Sequence, residues 1–365
     1  MNFVRVALAY DRVNKWGGAE RVLLALHEIF PNAPLFTAVY NSETSKWAEV
    51  FPKVIPSFLQ KIPFAKTRHE FLGTFTPLAF ETLDFSDYDL VISVTSEAAK
   101  GIITKPPAMH ICYCLTPTRY LWSAYELYFR NPILKFTAKS AVSYLRYWDK
   151  IAAQRPDVMV GISREVCKRI KKYYGRESEL IYPPVDLEKY EIRNTKYEKR
   201  KEDFFLVVSR LIPYKRVDLA VEAFNELGVS LTIVGTGSEE GRLKRMAKKN
   251  IRFVGELTDE KLADYYSKCS ALIFPQEEDF GLVTVEAQAA GTPVIAFKKG
   301  GALDTVVEGK TGVFFTKQNK VSLIGAIKEF KERSFDRKVI MNNANKFSKE
   351  IFKNEFLKLI KDVTR

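Results

Sequence analysis

The chain has 365 residues, a length that suits two hydrophobic cores better than one. Its 46% hydrophobic and 13% aromatic content excludes intrinsic disorder, and no apolar run reaches the roughly 18 residues of a membrane-spanning helix. Four scattered cysteines exclude a disulfide framework, and with only three histidines they argue against zinc.

Short apolar runs alternate with helical stretches. In the first half the expected strands are Val4–Ala9, Leu90–Val94, Met109–Leu115, Val158–Ile162 and Leu180–Tyr182, with helices over Ala19–Ile29 and Arg164–Tyr174. The second half offers strands Phe204–Val208, Ser230–Val234, Arg252–Val254, Ala271–Phe274, Pro293–Ala296 and Gly312–Phe315. Its helices fall over Val217–Leu227, Glu239–Lys248, Asp259–Lys268 and Leu282–Ala290, and Thr258 is placed to cap the third. The strands are rich in Val, Ile and Phe on both faces, the pattern of buried parallel strands. The fold class is therefore α/β, with two doubly wound Rossmann-like domains facing across a cleft.

The charged stretch Glu188–Asp203 follows Tyr182-Pro183-Pro184 and reads as the linker. It divides the chain into an N-terminal domain, residues 1–190, a second domain, 191–341, and a C-terminal helical segment, 342–365, expected to pack back on the N-terminal domain. The last carries Phe347, Ile351, Phe352, Phe356, Leu357 and Ile360 on one stripe. The N-terminus is too short and too early-charged for a secretory signal and reads as a first strand, so a cytoplasmic protein is expected.

The net charge of +13 is uneven. Arg119 to Arg176 holds 13 Lys/Arg against 4 Asp/Glu, interleaved with aromatics. Such a segment suits an anionic membrane surface, a nucleic acid, or a helical region with core aromatics and solvent-facing lysines. No nucleic-acid recognition motif is present, so a nucleic-acid partner is not expected.

The most informative stretch is EEDFGLVTVEAQAAG at residues 277–291. Glu278 and Glu286 flank Phe280-Gly281-Leu282 and the start of a helix. Backbone N–H groups at a helix N-terminus suit a diphosphate, and carboxylates accept hydrogen bonds from sugar hydroxyls. Together they point to a nucleotide-sugar, although an acidic loop before a core helix has the same appearance. Arg210 and Lys215, five apart on a loop after a strand, can converge on one anion. Gly17-Gly18 allows a sharp bend at a helix start. Gly235, Gly237 and Gly241 miss the dinucleotide spacing by one residue and read as a tight turn beside the nucleotide. Lys299-Gly300-Gly301 reads as another amide-rich turn near phosphate or sugar.

The chain resembles glycosyltransferase family 4, of GT-B fold, in GGAERV at Gly17–Val22, SRLIPYKRVD at Ser209–Asp218 and VGTGSE at Val234–Glu239. The likeness continues in EDFGLVTVEAQAAGTPVIA at Glu278–Ala296 and GGALDTVVEGKTG at Gly300–Gly312. CYCLTPTRYLW at Cys112–Trp122 and YYGRESELIYPPVD at Tyr173–Asp186 are similar to bacterial and archaeal mannosyltransferases of O-antigen and surface polysaccharide synthesis.

The resemblance implies a retaining hexosyltransferase that moves mannose from GDP-mannose to a glycan or polyprenyl-diphosphate-linked acceptor, without a metal or other cofactor, at the inner face of a membrane. It implies that Glu278 holds sugar hydroxyls, that Phe280, Gly281 and Leu282 approach sugar and diphosphate, and that Glu286 binds ribose. Arg210 and Lys215 would clasp the diphosphate, Gly17 and Gly18 would close over the donor, and Gly235 would line its site. Residues 1–190 would form the acceptor-side domain and 191–341 the nucleotide-sugar-binding domain, and His110 and Arg119 are acceptor-side candidates. Leu115 stands where relatives carry His, and Arg216 where many carry Gly. The competing readings are a GT-B nucleotide-sugar epimerase, distinguished by donor consumption without acceptor, and a non-enzymatic nucleic-acid binder. A phosphorylase would need a pyridoxal-binding lysine context that is not found.

Overall fold

The structure, a computed structural model, describes residues 5–63, 72–191 and 202–363. Its backbone divides into two compact units, Met1–Pro183 with Lys353–Arg365, and Pro184–Phe352.

The first unit holds a seven-stranded parallel sheet: β1 Val6–Tyr10, β2 Leu35–Thr37, β3 Val54–Pro56, β4 Leu90–Thr95, β5 Met109–Cys114, β6 Val158–Gly161 and β7 Glu179–Leu180. The spatial order is β3-β2-β1-β4-β5-β6-β7. Central β4 is buried along its whole length, as its apolar sequence on both faces requires. Helical residues such as Phe80 and Trp148 cover Ala7, Ala9 and Val91 on one face of this sheet. In the C-terminal part, Phe356 is fully buried with its ring 6.2 Å from that of Tyr113 on β5.

The second unit repeats the plan with six parallel strands: β8 Phe205–Val208, β9 Leu231–Val234, β10 Ile251–Gly255, β11 Leu272–Phe274, β12 Val294–Phe297 and β13 Gly312–Phe315. Their order is β10-β9-β8-β11-β12-β13. Phe205, Ile233, Ile273, Ile295 and Val313 form a continuous core with the helices Val217–Leu227 and Lys320–Lys331. Thr258 accepts a hydrogen bond from the Lys261 amide, so it caps the helix Asp259–Lys268 as expected.

Three expectations are corrected. Strands β2 and β3 escape the sequence pattern because three residues show no measurable period. Residues 342–363 are not one helix: Arg337–Ala344 ends in a tight turn, and Lys349–Val363 begins after an extended Ser348. Ser348 accepts from the Ile351 amide at 3.2 Å and thus starts the second helix. Phe352 and Phe356 are buried, whereas Ile351 and Leu357 of the expected stripe are exposed. Finally, the front of the expected linker is a helical turn, Glu188–Glu191, whose Tyr190 packs 6.0 Å from Tyr266. Of the remainder, residues 192–201 lie outside the described residues.

Candidate functional site

In the second sheet the chain winds one way from β8 and the opposite way from β11, and these two strands are neighbours. Ligands of open α/β sheets bind at such a reversal, beyond the carboxyl ends of the strands. The loop after β8 carries Arg210 and Lys215; the loop after β11 carries Gln276, Glu278, Phe280 and Gly281. The topology therefore brings together two motifs that are far apart in sequence.

Lys215 closes a short 3-10 turn and is buried, and its ammonium is ion-paired with Glu278. Gln276 donates from Nε2 to the same carboxylate oxygen at 2.9 Å. Arg210 is exposed and donates to the Tyr214 hydroxyl at 2.8 Å. Arg216 adopts a left-handed φ of 52°, a conformation that glycine reaches without the steric cost a Cβ carries. Its side chain reaches Asp218 and Gln318, both at 3.3 Å, and Gln318 donates to the Pro275 carbonyl. Arg216 thus ties its loop to the start of the Glu278 loop.

The helix Leu282–Ala289 starts at Gly281, where φ is 90° and no side chain caps the helix. A Cβ on Gly281 would sit 2.9 Å from the Phe274 ring. Leu282 is half-buried beside it. Phe280 is buried against Phe347, and Glu286 is buried and accepts from the Tyr266 hydroxyl at 2.9 Å. The helix start and Glu278 therefore share one loop, whereas Glu286 faces the packing layer.

Two glycine turns support that loop. The Gly301 amide donates to the Glu278 carbonyl at 2.8 Å, and a Cβ on Gly301 would collide with the Phe280 backbone. Gly235 braces its turn: its amide donates to the Gly255 carbonyl, and a Cβ there would strike the Ser209 carbonyl. Leu211 and Thr236 bond through their backbones at 2.8 Å, so the turn after β9 braces the Arg210 loop.

In the first unit, Gly17 immediately precedes the helix Gly18–Ile29, with extended backbone and no capping side chain. Glu20, one turn in, is buried and accepts from the Tyr10 hydroxyl at 2.7 Å. Burial raises the Glu20 carboxyl above its usual range, opposed by that hydrogen bond.

Sequence reasoning missed a polar cluster at this sheet's own reversal, between β1 and β4. Asp11, just past β1, accepts from the Thr95 hydroxyl and from the amides of Ser96, Glu97, Ala98 and Ala99 at 2.7 to 3.0 Å. Arg12 is ion-paired with Glu97. Lys100 is 2.6 Å from Asp149, and both are almost wholly buried. Burial pushes the Lys100 ammonium down and Asp149 more than offsets it, leaving it above its ordinary value. An acid directly after an apolar strand was the available signal.

Arg119 lies half-buried in the loop after β5. His110 is not an open acceptor-side group. It is fully buried on β5, with Nε2 2.8 Å from the Ser93 hydroxyl. Burial, aided by Arg176 and Arg155, holds its imidazole down to about 3. The apolar strand enclosing it explains the misreading.

Comparisons with known proteins agree with this geometry. Residues 188–347 match the family described as Glycosyl transferases group 1. An uncharacterized glycosyltransferase of Methanocaldococcus jannaschii is 28% identical over 210 residues, covering 56% of this chain and 58% of the relative. A GDP-mannose-dependent alpha-(1-6)-phosphatidylinositol monomannoside mannosyltransferase of Mycolicibacterium smegmatis is 29% identical over 183 residues, covering 43% of this chain and 48% of the relative. The chain thus spans between 48% and 58% of the length of these relatives. The Anabaena protein HepE, solved with UDP and glucose, superposes with a TM-score of 0.69 at 18% identity, covering 98% of this chain and 100% of HepE. At that identity the likeness establishes the fold, a two-unit α/β architecture of GT-B type. The family match supports a glycosyl transferases group 1 assignment, carried by the second unit.

Proposed function

We propose that this chain is a retaining glycosyltransferase that moves a hexose, mannose from GDP-mannose, to a glycan acceptor that is free or carried on a polyprenyl diphosphate lipid. The Lys215–Glu278 pair at the carboxyl ends of β8 and β11 carries the reading. It sets a cation for a diphosphate beside a carboxylate for sugar hydroxyls. Gly281 and the uncapped helix start after it add backbone donors of the right sign. The name of the mycolicibacterial relative supports GDP-mannose, whereas the nucleotide in the HepE structure is UDP.

In this reaction the bond from the sugar's anomeric carbon to the diphosphate breaks. Negative charge then grows on the leaving phosphate and positive charge on the ring. Lys215 and Arg210 are cations suited to the first, and pre-aimed donors stabilise such charge without reorganisation. The acceptor hydroxyl attacks on the face the diphosphate leaves, and its proton passes to a leaving phosphate oxygen. Anomeric configuration is thereby retained without a covalent enzyme intermediate.

Thermal shift against a panel of GDP-, UDP- and dTDP-sugars tests the donor, because a ligand stabilises the state that binds it. Selective stabilisation by GDP-mannose is expected; stabilisation by no nucleotide-sugar would end the proposal. Side chains neutralise the diphosphate in this scheme, so transfer should survive chelation of divalent metals. Loss of turnover with EDTA, restored by one metal, would refute that part. Donor consumption without acceptor would instead indicate an epimerase.

A further inference from the structure

The basic, aromatic segment of the first unit separates in the structure into two populations. Trp122, Tyr125 and Phe129 pack on a small core of Leu121, Val142 and Leu145. Tyr120 packs there too, and Trp148 and Tyr174 are buried, whereas Phe136, Tyr144 and Tyr147 point outward. Two consecutive helices, Pro132–Thr137 and Lys139–Ala152, meet at Ala138. On the first, Ile133 is 75% and Phe136 81% exposed. On the second, Tyr147 is 70% exposed, and Tyr144 and Ile151 complete an outer stripe at i, i+3 and i+7. The inner stripe of that helix, Val142, Leu145, Trp148 and Ala152, is already buried in its own unit. The helix therefore has two apolar faces, and among the described residues only the inner one is packed within the unit.

Charge identifies the missing partner. Lys139 and Lys150, eleven residues or about three turns apart, share one exposed flank beside the outer stripe. Residues 128–151 hold five Lys/Arg, and their one acid, Asp149, is buried against Lys100. Projecting aromatic and aliphatic side chains flanked by exposed lysines, with no exposed carboxylate in the same segment, match an anionic bilayer interface. A homodimer seam built on these helices would bring like charges together.

We infer that these two helices dock on an anionic membrane, with Ile133, Phe136 and Tyr147 entering the headgroup boundary and Lys139 and Lys150 lying against lipid phosphates. The inference deepens the acceptor half of the proposed function by naming where the acceptor is met, and it stands on residues remote in sequence from Lys215 and Glu278.

Co-sedimentation of the full chain, without any nucleotide-sugar or acceptor, is the test. Vesicles of phosphatidylcholine alone are compared with equal parts of phosphatidylglycerol and phosphatidylcholine. The chain should bind the anionic vesicles and not the neutral ones. The double variant Phe136→Ser/Tyr147→Ser should weaken binding by at least about tenfold. The double variant Lys139→Glu/Lys150→Glu should abolish the preference for phosphatidylglycerol. All four positions are exposed, and thermal unfolding at the wild-type temperature verifies that each variant is folded. Equal binding to both vesicles, binding to neither, or wild-type binding by the Ser variant would overturn the inference. So would a stable dimer in sedimentation velocity that the Ser variant dissociates. Thermal shift with GDP-mannose reads the donor site independently, so the two proposals fail separately.

Discussion

Lys215 and Glu278, 63 residues apart in sequence, are ion-paired at the reversal of the second sheet. Each neutralises the other, so neither stands as an isolated charge. A nucleotide-sugar would offer each an alternative partner: phosphate oxygens for the ammonium and hydroxyls for the carboxylate. The pair also explains why Gln276 sits where it does, since its amide holds the carboxylate oxygen that Lys215 shares.

Lys215→Ala should lower kcat/KM for transfer at least about tenfold, equivalent to roughly 1.4 kcal/mol of barrier. Glu278→Gln should do likewise by weakening the sugar contacts. The double variant should lose less than the product of the two, because Lys215→Ala alone leaves a carboxylate facing the diphosphate. Near-normal turnover in the Lys215 variant, or strict additivity in the cycle, would separate the pair from the chemistry.

At Arg216 the backbone rather than the side chain decides the outcome. Its φ of 52° strains any residue with a Cβ, by about 1 kcal/mol. Arg216→Ala keeps that strain and loses the bonds to Asp218 and Gln318. Arg216→Gly loses the same bonds but relieves the strain. The Gly variant should therefore be more stable than the Ala variant by about 1 kcal/mol in urea unfolding. Equal stabilities would mean that the side chain alone governs this turn.

The strands of the second sheet and five of the seven in the first were legible because buried parallel strands are apolar on both faces, whereas helices such as Lys139–Ala152 and Lys320–Lys331 were not singled out. Val217–Leu227 and Asp259–Lys268 fall at their expected bounds. The candidates Arg210, Lys215 and Glu278 of the second unit stood out because each lies on a loop directly after a strand. Their pairing was not legible, since nothing in sequence tells Lys215 that Glu278 is opposite. Gly235 and Gly301 illustrate a second limit. A glycine required by close backbone approach looks the same in sequence as one presenting its amide to a ligand. His110 illustrates a third, for a polar residue inside an apolar strand suggests chemistry until its burial is seen.

Two glycines with positive φ should respond differently to a methyl group. Gly228 ends the helix Val217–Leu227 at φ 69°, and a Cβ there would meet nothing within 4 Å. Gly228→Ala should cost only the left-handed penalty, about 1 kcal/mol. Gly235 has φ 123°, and its Cβ would collide with the Ser209 carbonyl. Gly235→Ala adds overpacking to strain and should cost about 3 kcal/mol, displacing the Arg210 loop as well. Urea unfolding ranks the two; a Gly235 variant no worse than Gly228→Ala would show that the turn is free to move.

Protonation of His110 should make the first unit acid-sensitive. Burial depresses its imidazole to about 3, while in the unfolded chain it titrates near its ordinary value of about 6.5. Between these values the unfolded state binds the extra proton, so stability falls as pH falls. The contribution is whole above about 6.5 and is lost progressively toward 3, with a slope of at most about 1.4 kcal/mol per pH unit. Glu20 and Glu97, whose carboxyls burial raises, act in the opposite direction near their own titrations, so the comparison is made between wild type and variant. His110→Gln keeps a polar side chain near the Ser93 hydroxyl but cannot titrate. Its stability relative to wild type should rise steadily as urea unfolding is repeated from pH 7 to pH 5. Parallel pH profiles for the two proteins would show that His110 takes up its proton as readily folded as unfolded.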